Sequence, residues 1–304
     1  MRSAPCDFGK KMTLLEILNW STNCLKDHRI ENPRLNAELL LAHSLNLSRE
    51  GLYVRLHGQV KREEQETLEK LIRRRISGEP LQYLLGHQEF WSIDFKVDGR
   101  VLIPRPETEL LVEQALSILS ETPHKRTPSV LDIGTGSGAI AISLAKEVRD
   151  IFLVATDISK EGLVLAKENA RSLGVLQQIE FVNGDLFAPF RLLKGVEPFD
   201  LILSNPPYIA SLDIDALARE VKDYEPVIAL NGGQDGLAFY RSIISQAPSY
   251  LRSGGRLLLE VGQGQREEVS IMFDKQEDLL APQWIRDLSG IERVVKAQKR
   301  EGGE

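Results

Sequence analysis

Hydrophobic residues recur at helical spacing through the first quarter of the chain. The three stripes are Leu14, Ile17, Leu18 and Leu25, then Leu35, Leu39 and Ala42, then Leu68, Ile72 and Ile76. Thr13 and Glu16 have the spacing of a capping box at the start of the first stripe. The pattern predicts a small helical bundle over residues 12–86, preceded by a flexible tail over residues 1–11.

The spacing of the hydrophobic residues changes after the bundle. Phe90, Phe95 and Val97 precede the pair Asp98-Gly99, and a second short apolar run follows at residues 101–103. Two such runs around an Asp-Gly pair are typical of a β-hairpin. We therefore predict a hairpin linker over residues 87–104, with its turn at Asp98-Gly99.

From residue 130 onward, short aliphatic runs alternate with glycine turns and helical segments. The predicted strands cover residues 130–133, 151–156, 179–183, 199–204, 256–261, 284–287 and 292–297, and the predicted helices cover residues 139–148, 160–173, 236–251 and 265–273. This alternation is typical of a doubly wound α/β domain with a mostly parallel sheet. We expect one such domain over residues 105–304, with seven strands and the last two as an antiparallel edge pair.

The composition is that of an ordinary globular protein, with 42% hydrophobic and 27% charged residues among 304. No apolar run approaches the roughly 18 residues of a membrane span, and the N-terminus lacks the hydrophobic core of a signal peptide. We expect a cytoplasmic protein without a membrane partner. Cys6, Cys24 and the five histidines form no metal-binding spacing, so no metal site is expected.

The net charge of −6 bears on possible partners. A protein that grips duplex nucleic acid usually carries a clear basic footprint. Because this chain is acidic overall, we expect no direct nucleic-acid partner. No apolar surface stripe is left over in the pattern, so we expect a monomer.

The most informative stretch is Asn205-Pro206-Pro207-Tyr208, which directly follows the predicted strand at residues 199–204. Two prolines make this turn stiff and extended. The side-chain oxygen of Asn205 and a backbone carbonyl, that of Pro206, can accept the two hydrogens of a planar NH2 group, while the Tyr208 ring packs on its face. The stretch therefore indicates a site for a planar nitrogen.

A nucleoside site is indicated by three consecutive strand ends. The first is followed by Gly134-Thr135-Gly136-Ser137-Gly138, where glycines let the backbone approach a ligand. Asp157 lies at the end of the second strand, where a carboxylate can accept hydrogen bonds from both ribose hydroxyls. Asp185 ends the third strand, at a position to contact an adenine amino group. Each acid alone is an ordinary loop carboxylate, but the combination predicts a nucleoside site.

Four segments resemble the HemK family, methyltransferases that act on the glutamine side-chain amide of peptide-chain release factors. The segments are Ile103-Pro104-Arg105-Pro106-Glu107-Thr108-Glu109, Asp132-Ile133-Gly134-Thr135-Gly136-Ser137-Gly138, Ser204-Asn205-Pro206-Pro207-Tyr208 and Gly232-Gly233-Gln234-Asp235-Gly236-Leu237. The resemblance begins near Met12, includes the helical bundle and continues almost to the C-terminus.

This resemblance implies a Rossmann-like catalytic domain that uses S-adenosyl-methionine, and a bundle that docks class 1 release factors. Residues 134–138, Asp157, Asp185 and Leu186 would hold the cofactor. Asn205 would contact both cofactor and substrate, and residues 206–208 would hold the glutamine amide of the Gly-Gly-Gln loop. Many relatives carry an aromatic residue at position 186, so Leu186 departs from the family pattern.

The chain itself contains Gly232-Gly233-Gln234, the same three residues as the substrate loop of the family. The following Asp235-Gly236-Leu237 resembles a structural motif of the family instead. We therefore expect no modification of the chain by itself.

Two other functions remain open at this point. An enzyme that methylates adenine or cytosine in nucleic acid would present the same NH2 geometry to residues 205–208, although the acidic charge and the lack of an evident base-reading domain argue against it. A non-catalytic adaptor could bind a partner through the bundle and hold the cofactor for stability. An intact Asn205 and glycine turn argue against the adaptor.

Overall fold

The computed structural model describes residues 12–121, 126–191 and 197–301. The chain forms two compact units, one of Met1–His87 with Ala218–Tyr224 and the other of Gln88–Leu217 with Glu225–Glu304. Among the described residues, no helix is both long enough and apolar enough to cross a membrane. In the same part of the chain, no group of three or more His, Cys, Asp or Glu side chains could hold a metal ion.

The first unit is built from short amphipathic helices. They are α1 Leu14–Asp27, α2 Pro33–Leu45, α3 Arg49–Val54, α4 Arg62–Ile76 and α5 Leu81–Leu85. The predicted capping box is confirmed, because Thr13 and Glu16 exchange side-chain-to-backbone hydrogen bonds at the start of α1. The leucines and isoleucines of the first and third predicted stripes join one buried cluster at the centre of these helices. The predicted stripe of the second helix is wrong in part: Leu35 is exposed and Leu39 half-buried, and α2 turns Ala37, Leu40 and Leu41 into the cluster instead.

A short segment from far along the chain completes the first unit. Its helix, which is α9 in chain order, covers Arg219–Lys222. The buried guanidinium of Arg75 donates to Glu220 Oε2 at 2.8 Å and to Asn36 Oδ1 at 2.9 Å. Because Arg75 bridges α2 and the distant segment, it ties residues 218–224 to the helices.

The second unit contains a hairpin and a seven-stranded sheet. The hairpin pairs β1 His87–Phe90 with β2 Ile93–Lys96; the sheet strands are β3 Ser129–Ile133, β4 Phe152–Asp157, β5 Ile179–Asn183, β6 Phe199–Ser204, β7 Leu251–Glu260, β8 Gln283–Arg286 and β9 Glu292–Gln298. Their order is β5-β4-β3-β6-β7-β9-β8. Strands β3 to β7 pair in parallel, and β9 is antiparallel to both β7 and β8. The predicted sheet with an antiparallel edge is confirmed.

Helices cover both faces of this sheet. They are α6 Glu109–Glu121, α7 Ala139–Glu147, α8 Lys160–Ser172, α10 Ala238–Tyr250 and α11 Arg266–Asp274. Alternate residues of one strand enter different hydrophobic clusters: Val130 packs with residues of α6 and α7, and Leu131 with residues of α10 and α11. A parallel sheet buried on both faces requires such continuous apolar strands. The carboxyl ends of β3, β4 and β6 therefore remain as the polar edge of the sheet.

The predicted position of the hairpin turn is wrong. The turn lies at Trp91-Ser92, whose φ angles of 53° and 55° are both positive, and not at Asp98-Gly99. Trp91 is held there by its backbone N–H, which donates to Glu109 Oε1 at 2.7 Å. Asp98 instead accepts locally from the backbone and side chain of Arg100. The Trp91–Glu109 hydrogen bond stabilises the turn at Trp91-Ser92, and Asp98 is engaged by Arg100 outside the hairpin.

Candidate active site

A cavity opens at the carboxyl ends of the central parallel strands, in the second unit. Its volume of about 280 Å³ is near the ~300 Å³ at which small-molecule pockets begin. Residues of the predicted site that line it are Gly134, Gly136, Asp157, Asp185, Leu186, Asn205, Pro206 and Pro207. The sheet thus brings together side chains that are far apart in the sequence, as expected where ligands bind in open α/β sheets.

The glycine turn forms one wall of the cavity. Gly134 and Gly136 have φ angles of 75° and 55°, a backbone region that favours glycine. A Cβ on either residue would meet no atom within 4 Å, so the space beside this backbone is open to a ligand. The turn is fixed from below, because the N–H groups of Gly134 and Thr135 both donate to the Thr156 carbonyl at 2.8 and 2.9 Å.

Three other residues of the turn, Thr135, Ser137 and Gly138, are outside the cavity lining. Thr135 Oγ1 donates to Asp132 Oδ2 at 2.7 Å, and the Ser137 carbonyl accepts from Asn169 Nδ2 at 2.9 Å. A Cβ on Gly138 would lie 2.7 Å from Ile142 Cδ1. The Thr135 hydroxyl, the Ser137 carbonyl and the close packing at Gly138 hold the turn in shape, and cofactor contacts of these three residues stay predictions.

Asp157 lies at the end of β4 and faces the cavity. Its Oδ2 accepts from the Gly136 N–H and its Oδ1 from the Ser159 N–H, each at 2.8 Å. Burial raises the pKa of this carboxyl, and the hydrogen bonds from backbone N–H groups lower it in part. Each carboxylate oxygen keeps a further lone pair, so the side chain can still accept hydrogen bonds from a ligand.

Asp185 and Leu186, which follow β5, also line the cavity. Asp185 is exposed, and Leu186 is half-buried with a positive φ of 47°. Leu186 packs against the hydrophobic cluster beneath α10 and also lines the cavity. Leu186 therefore offers an apolar surface to the cavity.

Asn205, at the end of β6, contributes its amide to the floor of the cavity. Its Nδ2 donates to Thr108 Oγ1 at 3.0 Å, which leaves Oδ1 on the other side of the amide. Within the described ranges, no hydrogen bond is formed to Asn205 Oδ1 or to the carbonyl of Pro206. Two acceptors of the predicted NH2 site are thus free of intramolecular donors.

Tyr208 contacts a different cavity, which it lines together with Ile209, Gly262 and Gln265. Its backbone carbonyl accepts from Gln265 Nε2 at 2.9 Å. Burial, together with the negative charge of nearby Glu260, raises the pKa of the Tyr208 phenol to about 12. Tyr208 is therefore not among the residues that line the cavity at Asn205, and the stacking of its ring on a planar group stays a prediction.

The Gly232-Gly233-Gln234 stretch supports the Asn205 turn from behind. Gly232 N–H donates to the Ile209 carbonyl at 2.8 Å. A Cβ on Gly232 would lie 2.8 Å from the Pro207 carbonyl oxygen, and one on Gly236 would lie 2.5 Å from the Tyr208 carbonyl oxygen. Glycine is required at both positions because the two backbones pack together, which is the structural role expected for this motif.

Comparison with known proteins identifies two families along the chain. Residues 16–86 match the PrmC N-terminal domain, and residues 124–296 match a methyltransferase domain. The release factor glutamine methyltransferase of Geobacter sulfurreducens is 44% identical over 285 residues, which are 93% of this chain and 95% of the relative. The relative of the same name from Koribacter versatilis is 41% identical over 95% of this chain and 99% of its own length.

The chain belongs to the release factor glutamine methyltransferase family. The family predicted from the four motif segments is therefore confirmed, as is the methyltransferase domain at the position of the sheet.

The fold is also found among solved structures. The crystal structure of the hMettl16 catalytic domain in complex with MAT2A 3'UTR hairpin 6 superposes with a TM-score of 0.55. It covers 77% of this chain and 83% of that chain, at 16% sequence identity. At this low identity, the match shows that the two proteins share a fold. It says nothing about the substrate of this chain.

Sequence reasoning missed two buried carboxylates of this methyltransferase family member. Glu225 accepts from Arg105 Nη2 at 2.6 Å and precedes the loop whose Pro226 and Ile228 line the cavity. Glu260, 2% exposed, accepts from Thr108 Oγ1 at 2.7 Å. One signal was available for Glu260, which ends the aliphatic run at residues 257–259 as Asp157 ends β4. Glu225 lies in an irregular segment and gave no signal.

Proposed function

We propose that the protein transfers a methyl group from S-adenosyl-methionine to the side-chain amide nitrogen of the glutamine in the Gly-Gly-Gln loop of class 1 peptide-chain release factors. The observation that carries the proposal is the pair of free acceptors at the cavity, Asn205 Oδ1 and the Pro206 carbonyl. The names of full-length relatives support the choice of substrate.

The cavity suits the proposed cofactor. The remaining lone pairs of Asp157 can accept hydrogen bonds from the two ribose hydroxyls, and the Asp185 carboxylate can accept one from the adenine amino group. Leu186 offers an apolar surface to the face of the base, and the open side of Gly134 and Gly136 admits the rest of the molecule. When bound, S-adenosyl-methionine would supply an electrophilic methyl group on a sulfonium, and cleavage of that C–S bond would leave the neutral thioether S-adenosyl-homocysteine.

The role of Asn205 follows from the chemistry of amides. An amide nitrogen is a weak nucleophile because its lone pair is delocalised into the carbonyl group. Asn205 Oδ1 and the Pro206 carbonyl can accept one N–H each and so hold the nitrogen in line with the methyl group. Such positioning can lower a barrier by about 7–11 kcal/mol.

The same two acceptors also bear on the charge that develops during transfer. Positive charge grows on the nitrogen as it is methylated, and acceptor oxygens beside it stabilise that charge without reorganisation. The methylated cation then loses an N–H proton to water, because an N-protonated amide is a strong acid. The step therefore needs no general base from the protein.

A label-transfer assay tests the substrate class. The protein is incubated with methyl-labelled S-adenosyl-methionine in three separate reactions. Each contains one acceptor: a purified class 1 release factor, duplex DNA or RNA. We expect label only on the release factor, and a rate lower by about 100- to 1,000-fold in Asn205→Ala, the scale of one catalytic hydrogen bond. Label on nucleic acid with none on the release factor would contradict the proposal, and no transfer to any acceptor would favour the adaptor.

A further inference from the structure

A chain of two hydrogen bonds lies behind the Asn205 amide. Asn205 Nδ2 donates to Thr108 Oγ1 at 3.0 Å, and Thr108 Oγ1 donates to Glu260 Oε2 at 2.7 Å. Thr108 is 5% exposed and Glu260 is 2% exposed. The three residues come from the turn after β6, the segment before α6 and the end of β7. Only the tertiary fold brings these hydrogen-bonding groups together.

The direction of these hydrogen bonds determines which way the Asn205 amide points. A threonine hydroxyl has one hydrogen, and Glu260 in its ionised form, which it takes above its pKa, can only accept. Because the Thr108 hydrogen is used by Glu260, the Thr108 oxygen can only accept from its other neighbour. Asn205 must therefore turn its NH2 group to Thr108 and its Oδ1 away from it. The reversed amide would place two acceptor oxygens against each other in a buried site.

We propose that Thr108 and Glu260 are positioning residues that fix the Asn205 amide with its oxygen directed at the substrate nitrogen. The proposal rests on the proposed function, in which Asn205 Oδ1 accepts an N–H of the substrate amide. Without the pair, the amide can rotate by 180° and present its NH2 group to the substrate, where two donors would face each other.

The surroundings of Glu260 are consistent with this role. Burial raises the pKa of its carboxyl to about 7, whereas the hydrogen bond from Thr108 and the nearby Asn205 amide lower it. The charged and titratable groups that act on Glu260 or are acted on by it are Glu107, which raises its pKa, Arg293, which lowers it, and the phenols of Tyr208 and Tyr240. A carboxyl buried to this extent is retained at a cost in stability, which a positioning role explains.

The first test compares Thr108→Val with Thr108→Ser. Valine has nearly the shape of threonine but no hydroxyl, while serine keeps the hydroxyl. We expect Thr108→Val to lower kcat by roughly 10- to 100-fold, the scale of one buried hydrogen bond, with unchanged affinity for S-adenosyl-methionine and for the release factor. Thr108→Ser should restore kcat to within about threefold. A wild-type kcat in folded Thr108→Val would overturn the proposal.

Two further variants control for stability. Ser143→Ala removes another buried hydroxyl, one without a hydrogen-bond partner among the described residues, and should leave kcat unchanged. Thr108→Val leaves Glu260 buried without its partner, so the double variant Thr108→Val/Glu260→Gln removes the charge as well. In a double-mutant cycle we expect the double variant to lose no more kcat than Thr108→Val, because both changes interrupt the same series of hydrogen bonds from Asn205 to Glu260. Full kcat in the double variant would overturn the proposal.

A spectroscopic measurement separates this inference from the proposed function. In protein with ¹⁵N-labelled asparagine, the Asn205 side-chain NH2 hydrogens should exchange slowly with water in the wild type and in Thr108→Ser, and faster in Thr108→Val. If the three proteins show these exchange rates but the wild type does not methylate a release factor, the proposed function fails and the orientation of the amide stands. If the release factor is methylated but exchange is the same in all three proteins, the positioning role is wrong.

Discussion

At the scale of one residue, the buried carboxyl of Asp132 in strand β3 makes stability depend on pH. Asp132 has no exposed surface, its Oδ2 accepts from Thr135, and its Oδ1 has no hydrogen-bond partner among the described residues. Burial raises the pKa of this carboxyl from 3.8 to about 7, the Thr135 hydrogen bond lowers it in part, and the charge of Asp157 raises it. The fold therefore favours the neutral acid.

A pH dependence of stability follows from this raised pKa. The stability that Asp132 contributes is fully present below a pH of about 4 and is lost as the pH rises to about 7, because ionisation is easier in the unfolded chain. Asp132→Asn cannot ionise. We expect its melting temperature, relative to the wild type, to become more positive from about pH 5 to about pH 8, as measured by calorimetry.

Asp235 supplies a matched control for this prediction. It is exposed, and its hydrogen bond with Arg241 lowers its pKa to about 2. Its contribution to stability is lost only as the pH falls towards that value, so Asp235→Asn should follow the wild type in parallel from about pH 5 to about pH 8. Parallel curves for Asp132→Asn as well would contradict the account of the buried acid.

The residues of the cavity differ in how far the sequence could predict them. Asn205, Asp157 and the glycines each follow a predicted strand, and the ends of neighbouring parallel strands meet at one edge of the sheet. The partners of Asn205 were not predictable in this way. Thr108 lies 97 residues from Asn205 and 152 from Glu260, so only the packed fold brings the three together.

At the scale of elements, the loop at residues 232–236 fixes the position of the turn that carries Asn205. Gly236 has a φ of 75°, and its Cβ would lie 2.5 Å from the Tyr208 carbonyl oxygen. Because backbone, not a flexible side chain, occupies this space, a substitution must move the turn itself. The loop at residues 232–236 therefore acts as a template, in the sense that its backbone packs against the turn at Asn205 and sets the position of that turn.

Gly236→Ala tests this template against Gly290→Ala. Gly290 has a similar φ of 80° but no atom within 4 Å of its Cβ position. We expect Gly290→Ala to cost about 1–2 kcal/mol from its backbone conformation alone, with unchanged activity. Gly236→Ala should cost a further ~1–3 kcal/mol from overpacking and also lower kcat. Denaturant unfolding and label transfer measure the two effects, and equal losses for both variants would exclude the template role.

The hairpin shows where local sequence preference fails at the same scale. Asp98-Gly99 is a strong turn signal, yet the hairpin turns at Trp91-Ser92. The Trp91 indole donates to Glu147 Oε1 at 2.9 Å, and its backbone N–H donates to Glu109 Oε1. Both partners lie in helices that follow later in the chain, and a hydrophobic pattern carries no information about such hydrogen bonds.

At the scale of the whole molecule, the sequence pattern located the change from helices to sheet. It did not show that a distant segment belongs to the first unit. The first unit ends at His87, next to the predicted end of the bundle at residue 86. Residues 218–224, expected within the catalytic domain, cluster with the first unit, where Tyr224 and Ser77 hydroxyls lie 3.1 Å apart. Docking of release factors by the bundle and a monomeric state stay predictions.

The most direct test of the central claim is tandem mass spectrometry of a class 1 release factor after incubation with the protein and S-adenosyl-methionine. We predict one added methyl group on the side-chain nitrogen of the glutamine in the Gly-Gly-Gln peptide, and formation of the same product about 100- to 1,000-fold more slowly with Asn205→Ala. An unmodified glutamine with wild-type protein that binds the cofactor, or a methyl group on any other residue, would contradict the account of the Asn205 site.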